Sequence, residues 1–294
     1  MAIYSISDLA KLTGIKAHTI RIWESRYEII TPERTATNIR YYQDEDLKRL
    51  LNIALLNKNG FKISKIARMS EQEIAEKVSA ITDVDQAHET QLDALTISMI
   101  EMDEYKFDRI LQAGILELGF ERTMLEIVYP FLDKLSVLWL TGSINPAQES
   151  FISYLIRQKL IVAIDQLPLV RQTERPKVIL YLPEGERQEL SLLFMHYLLR
   201  ARQYRVIYLG PDAGLSDLVD AYRLHQPEYF YAMISETYAQ TPVQAYLDTL
   251  LDTFPAAHFL LSGYQVMAQH VSSSDRLTVL SSLDDTLRFL DSKE

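Results

Sequence analysis

The sequence predicts a multidomain chain of α followed by α/β architecture: an N-terminal winged helix-turn-helix, a four-helix bundle and a C-terminal doubly wound parallel α/β domain. Three patterns predict it. Residues 3–70 alternate short helical stripes with a basic loop, residues 88–168 hold four long apolar-periodic segments, and from Lys177 onward short continuous apolar runs alternate with amphipathic stretches. A chain of 294 residues exceeds what one small core needs. The expected divisions are 1–75, a linker at 76–87, the bundle at 88–170 and the α/β domain at 175–294.

In the first domain, Ile6, Leu9, Ala10 and Leu12 make an apolar stripe that Thr13-Gly14 stops, glycine being suited to the tight connection of a helix-turn-helix. The second helix then presents His18, Arg21 and Ser25 on one face, with Ile20 and Trp23 turned inward. Lys16, His18, Thr19 and Arg21 are the candidate groove-reading residues. Downstream, Arg34, Asn38, Arg40, Tyr41 and Tyr42 form a polar wing whose cations and phenols suit phosphate. Asp44-Glu45-Asp46 opens a further helix through Leu47, Leu50, Leu51 and Ala54, and Asn59-Gly60 stops it. Phe61 to Met69 reads as one more short helix, and EQEIAEKVSAITDVDQAHE, with few large apolar residues, reads as a solvated spacer.

The net charge of −10 is unevenly placed. Residues 1–70 hold 12 Lys and Arg against 7 Asp and Glu, or +5, which leaves −15 on the remainder. Exposed charges act over about 8–10 Å, so a separate acidic domain does not cancel a basic patch meant for phosphate. The absence of cysteine excludes disulfides, thiolate catalysis and cysteine-bound zinc. No secretory signal and no membrane span are evident, so the expected location is the cytoplasm, without a membrane partner.

TIRIWESRY followed by NIRYY resembles the winged-helix DNA-binding domain of the MerR family, most closely the branch of cobalamin-dependent, light-responsive repressors of carotenoid synthesis. A bland reading makes the cationic helix a solvated face. The resemblance instead implies double-stranded operator DNA as partner, a homodimer or homotetramer associating through residues 80–294, and a protein antagonist or RNA polymerase as further candidates. Symmetric half-sites fit such an oligomer.

In the second region, QLDALTISMI, EYKFDRILQAGILEL, FERTMLEIVYPFLDKLSVLWL and PAQESFISYLIRQKLIVAIDQL are joined by short connections, which favours antiparallel neighbours in a bundle. Asn145-Pro146 starts the last of them. In the third, KVILYL, RVIYLG, EYFYAMIS, HFLLSG and LTVL read as strands of a parallel sheet buried on both faces, with helices between. Its ligand site falls beyond the strand carboxyl ends, at PEGERQE, GPDAG, SETYAQ and SGYQV.

Bundle plus α/β domain is similar to the cobalamin-binding unit, Rossmann-like in its last part, of those repressors and of methionine synthase. The resemblance implies an acid, then a cobalt-ligating His, then a Gly after the first strand. Here Glu186 fits the acid, Gln188 stands where the His belongs and Ser191 where the Gly belongs. It also implies a serine after the third strand, which Ser235 matches, and a second glycine after Gly263, where Tyr264 stands and is expected to crowd the nucleotide tail. In the bundle Trp139 and Glu149 match the residues over the corrin, but Ser150 replaces a histidine. An amide is a poorer cobalt donor than imidazole, so no cofactor is expected, although the family binds cobalamin. His196, His225, His258 and His270 lie in helices or strand starts and read as structural, as do Asp284-Asp285 at a helix start and the alternating Tyr229-Phe230-Tyr231. PEGERQEL carries one glycine and repelling acids, which argues against NAD or ATP. No nucleophile is paired with a base, and the chain is not expected to be an enzyme. The competing expectations are a regulator that still binds cobalamin without the lower ligand, and a corrinoid-carrying enzyme component.

Overall fold

A computed structural model describes residues 4–34, 40–84, 88–140, 144–169, 175–187, 189–236 and 242–292 and divides the chain into two units, Met1–Leu155 and Ile156–Glu294. In the first unit, Ser5 and Asp8 cap α1 (Ile6–Thr13) reciprocally: Asp8 N donates to Ser5 Oγ at 3.2 Å and Ser5 N to Asp8 Oδ2 at 2.8 Å. Gly14 closes α1 at φ +70° and the chain re-enters helix at α2 (Ala17–Tyr27). Leu9, Leu12, Ile20 and Trp23 are buried, as the stripes require. The wing is a two-stranded antiparallel pair, β1 (Glu33–Arg34) and β2 (Arg40–Tyr41). Tyr42 continues it by exchanging two backbone hydrogen bonds with Tyr4, at 2.9 and 3.0 Å. Then α3 (Asp44–Lys58) buries Leu47, Leu50, Leu51 and Ile53, and Gly60 follows at φ +87°. The short α4 spans Ile63–Ile66.

Much of the expected spacer is helical. Residues Glu71–Val84 form α5, because Ser70 and Glu73 make a second reciprocal cap, with Ser70 N donating to Glu73 Oε2 at 2.7 Å and Glu73 N to Ser70 Oγ at 3.2 Å. Ile74 and Val78, one turn apart, are buried and dock the helix, while Glu71, Gln72, Glu73, Ala75 and Glu76 are exposed.

Four helical segments follow: α6 (His88–Glu101), α7 (Glu104–Leu118), a third through α8 (Phe120–Thr123) and α9 (Tyr129–Leu140), and α10 (Pro146–Gln166). Between α8 and α9 lies a π turn, Met124–Val128, which the sequence reading lacks. Pro130 follows it, with no N–H to offer the carbonyl one α-helical turn back, and the wider turn takes up that mismatch. Gly114 of α7 abuts the turn: a Cβ there would sit 2.9 Å from Ile127 Cδ1. Asn145 caps α10 through Gln148 N at 2.9 Å, as expected.

The second unit is a five-stranded parallel sheet of β3 (Lys177–Pro183), β4 (Arg205–Ala213), β5 (Tyr229–Met233), β6 (His258–Ser262) and β7 (Leu277–Val279), in the order β4-β3-β5-β6-β7. Between them run α11 (Glu189–Ala201), α12 (Leu215–His225), α13 (Val243–Thr253) and the short α14 (Tyr264–Ala268), with α15 (Leu283–Asp291) last. One sheet face, with Ile179, Tyr181, Phe230 and Phe259, packs on Leu218 of α12 and Leu247 of α13. Alternation puts Tyr229 and Tyr231 on the other face. There Tyr229 meets Phe289 of α15 edge-on at 6.2 Å, and Tyr231 shares a 2.7 Å hydrogen bond with Ser262. This is the doubly wound α/β architecture the sequence predicts. Among the described residues no helix is long and apolar enough to cross a membrane.

Candidate nucleic-acid interface and strand-end loops

The outward face of α2 carries Lys16, His18, Arg21 and Ser25, all exposed, with Thr19 half-buried beside them. Lys16 occupies the N-cap and makes no side-chain cap bond. The first N–H groups of α2 thus point out beneath a cationic face, an arrangement that favours phosphate.

In the wing, Arg34 stands directly opposite Arg40. Like charges facing across a strand pair repel, so this register favours an anion lying over both. Arg40 is held at 3.3 Å by Glu24 of α2, whose other oxygen accepts a 3.0 Å hydrogen bond from Tyr42 Oη. One carboxylate therefore ties the wing to the helix. Sequence reasoning passed over Glu24; the only signal was an acid within a basic helix. Tyr41 Oη donates to Glu33, and that bond holds the phenol above its usual range. Tyr42 corrects an expectation: it is completely buried and cannot grip the DNA backbone. Burial, then the Glu24 hydrogen bond, push its phenol well above the usual value. Asn38 lies outside the described residues.

In the second unit, the strand order reverses at β3, which places the fold's natural crevice at the carboxyl ends of β3 and β5. Glu186, only 1% exposed, bridges that point. Its Oε2 accepts from Ser235 N at 2.7 Å and Glu236 N at 2.9 Å, while Oε1 accepts from Arg187 N at 3.2 Å. Ser235 Oγ accepts from Tyr264 N at 3.3 Å, and Gly185 N donates to Asp212 Oδ1 at 2.9 Å. Gly263, at φ +109°, approaches so closely that a Cβ would fall 2.4 Å from the Ile234 carbonyl oxygen. Tyr264 is 69% exposed at the start of α14. Ser191 is half-buried in the first turn of α11, and Gln188 lies outside the described residues.

In the bundle, Glu149 is half-buried and Ser150 exposed in the first turn of α10; Trp139 belongs to α9, its side chain outside the described residues. The four histidines stand away from the strand-end loops. His196 stacks on Tyr208 at 5.2 Å, and burial, helped by Arg200, lowers it to about 4. His258 bonds Thr278 at 2.7 Å, and His225 and His270 are exposed.

Residues 4–73 match the family model for MerR HTH regulatory proteins. The N-terminal domain is therefore of the MerR HTH type. The MerR match starts at Tyr4, which pairs with Tyr42, and ends in the first turn of α5. Residues 91–163 match the B12 binding domain, within the helical segments α6 to α10. The chain is 26% identical over 283 residues to the HTH-type transcriptional repressor CarH of Myxococcus xanthus, covering 94% of this chain and 93% of that protein. It is 25% identical over 291 residues to the repressor CarA of the same organism, covering 94% and 95%. Among solved structures, the Methanosarcina barkeri monomethylamine corrinoid protein shares the fold with a TM-score of 0.52 at 11% identity, over 76% of this chain and 100% of that one.

Proposed function

We propose that this chain is a cytoplasmic, homo-oligomeric repressor of the MerR type that binds a specific duplex operator, and that its cobalamin-binding-like module has lost the cobalt ligand. The observation that carries the DNA reading is the wing register, with Arg34 and Arg40 face to face beside the uncapped, cationic start of α2. Arg21 and His18 reach base edges, and Arg34 and Arg40 clamp the phosphate backbone. The names of CarH and CarA support repression. The test is titration of the full chain against a duplex selected from a random pool, by gel shift over a range of salt. Arg40→Ala is expected to weaken binding to all duplexes and to flatten the log–log salt slope by about one. Arg21→Ala relaxes sequence preference. Unchanged binding in both variants removes the assignment, and sedimentation of the full chain as a monomer removes the oligomer.

The residues at the strand ends do not fit cobalt ligation. The acid before the ligand position, Glu186, is buried against two backbone N–H groups, and the ligand position itself carries a carboxamide, Gln188. Ser150 removes the second imidazole. Calorimetric titration in darkness with adenosylcobalamin and methylcobalamin is the test. Wild type is expected not to bind, and the double variant Gln188→His with Ser150→His to gain binding. Micromolar binding by wild type overturns this reading in favour of a sensor that holds cobalamin without a lower ligand, which the B12 binding domain match and the retained Trp139 and Glu149 would then explain.

A further inference from the structure

The first unit contains a cleft of about 1010 Å³ between α3 and α5 on one side and α6 and α7 on the other, at the top of the range for small-molecule sites. Ile74, Val78, Ile97 and Ile110 line it. Ala75, Ala94 and Ala113 do too, and their short side chains keep it open. Asn52 of α3 also lines it, 8% exposed, and its amide makes no hydrogen bond among the described residues. Its amide is not sealed in the core but reaches the open space of the cleft, where donor and acceptor are both available to a ligand. The charged rim is nearly balanced, four cations against five acids, and most of it is paired. Glu101 holds Lys48 at 3.0 Å and also Lys106, which lies 3.8 Å from Asp103, and Arg49 pairs with Glu71 at 3.2 Å. A charged ligand would find no unmatched counter-charge in these groups. The turn into α7 adds apolar surface at the mouth, with Met102 at φ +51° and 46% exposed and Tyr105 71% exposed.

We infer that this cleft binds a neutral, mainly hydrocarbon molecule carrying one hydrogen-bonding group, which Asn52 reads. The inference is independent of the DNA and cobalamin readings. Because Asn52 sits on the helix that completes the MerR-type core and Ile110 on the bundle, the ligand bridges the two and stiffens that junction.

The test uses N-phenyl-1-naphthylamine, a neutral naphthalene with one N–H, added to the full chain and followed by its fluorescence. Saturable binding at one probe per chain is expected. Ala75→Trp and Ala113→Trp, at exposed positions on opposite walls where the larger ring is tolerated by the fold, should abolish it. Asn52→Leu keeps the volume but removes the amide and should weaken the probe roughly fivefold, the worth of one hydrogen bond. Retained circular dichroism and retained duplex binding confirm that each variant folds. No saturable binding, showing a cleft filled only by water, overturns the inference. So does binding that survives both tryptophan variants or is unaltered by Asn52→Leu.

Discussion

Replacing Glu24 by Leu tests how the wing is fixed to the recognition helix. The carboxylate accepts from the fully buried Tyr42 hydroxyl at 3.0 Å and pairs at 3.3 Å with Arg40, whose side chain is 44% exposed. A hydrogen bond to a charged group contributes about 1.5–3 kcal/mol, and its loss leaves the phenol unpaired in the core. The half-exposed ion pair adds only about 0.2–1 kcal/mol. A loss near ~2 kcal/mol is therefore expected, most of it through Tyr42. The chain has two tryptophans, so Trp139→Phe leaves Trp23, 8% exposed on α2, as the reporter of this domain during urea unfolding. Tyr42→Phe should cost about half as much, because the carboxylate keeps Arg40 while losing one bond. In the double variant the two losses should not add, since both remove the same bond. Purely additive losses, or a Glu24→Leu effect below about 0.5 kcal/mol, would falsify the view that Glu24 couples the two elements. Glu24→Gln has a separate consequence: with Arg40 released, binding to any duplex should tighten and become more salt-dependent.

Gly263→Ala should cost more than about 2 kcal/mol, since it adds a left-handed backbone penalty to a 2.4 Å overlap with the Ile234 carbonyl. Gly60→Ala, at φ +87° but with open space around it, should cost only about 1 kcal/mol. Equal losses in urea titrations would show that the Gly263 contact relaxes freely. His196 predicts a pH dependence. Its folded value of about 4 lies below 6.5, so the unfolded chain binds the extra proton between those values. The stability it contributes is complete above pH 6.5 and is lost as pH falls towards 4. Discounted for partial exposure, the loss is about 1–2 kcal/mol, and His196→Gln should flatten the slope of unfolding free energy in that window. An unchanged slope would mean that the ring stacked on Tyr208 is as well solvated as in the unfolded chain.

Elements whose side chains follow a single period were legible. Ile20 and Trp23 turned inward because helix spacing left no alternative, and the apolar runs at Val178–Leu182 and Phe259–Leu261 became central strands of the sheet. Tyr42 was misread although the same logic forbade it: adjacent strand residues face opposite ways, so Tyr41 and Tyr42 could not both meet DNA. The helix at Glu71–Val84 announced itself by Ser70 and Glu73, but a mostly polar composition outweighed the cap in the reading. Glu186 was picked out by the resemblance, but its partners were not legible, and Glu24 was passed over: each acts on groups brought together only by folding, 16 and 18 residues away for Glu24 and 49 and 50 residues away for Glu186. Asn52 looked like any polar residue on a helix until the tertiary structure buried it.

The π turn at Met124–Val128 fixes the phase of everything on either side of it. One additional residue in a turn rotates the following helix by about 100° relative to an unbroken α-helix. Ile127, Val128, Phe131 and Leu135, within and just after the turn, are all buried. The length of this segment is thus counted, not merely approximate. Deleting one residue here would restore regular helix and at the same time swing the apolar stripe of α9 out of step with Met124 and with Gly114 on α7. The segment should accordingly accept side-chain exchange far more readily than any change in its number of residues.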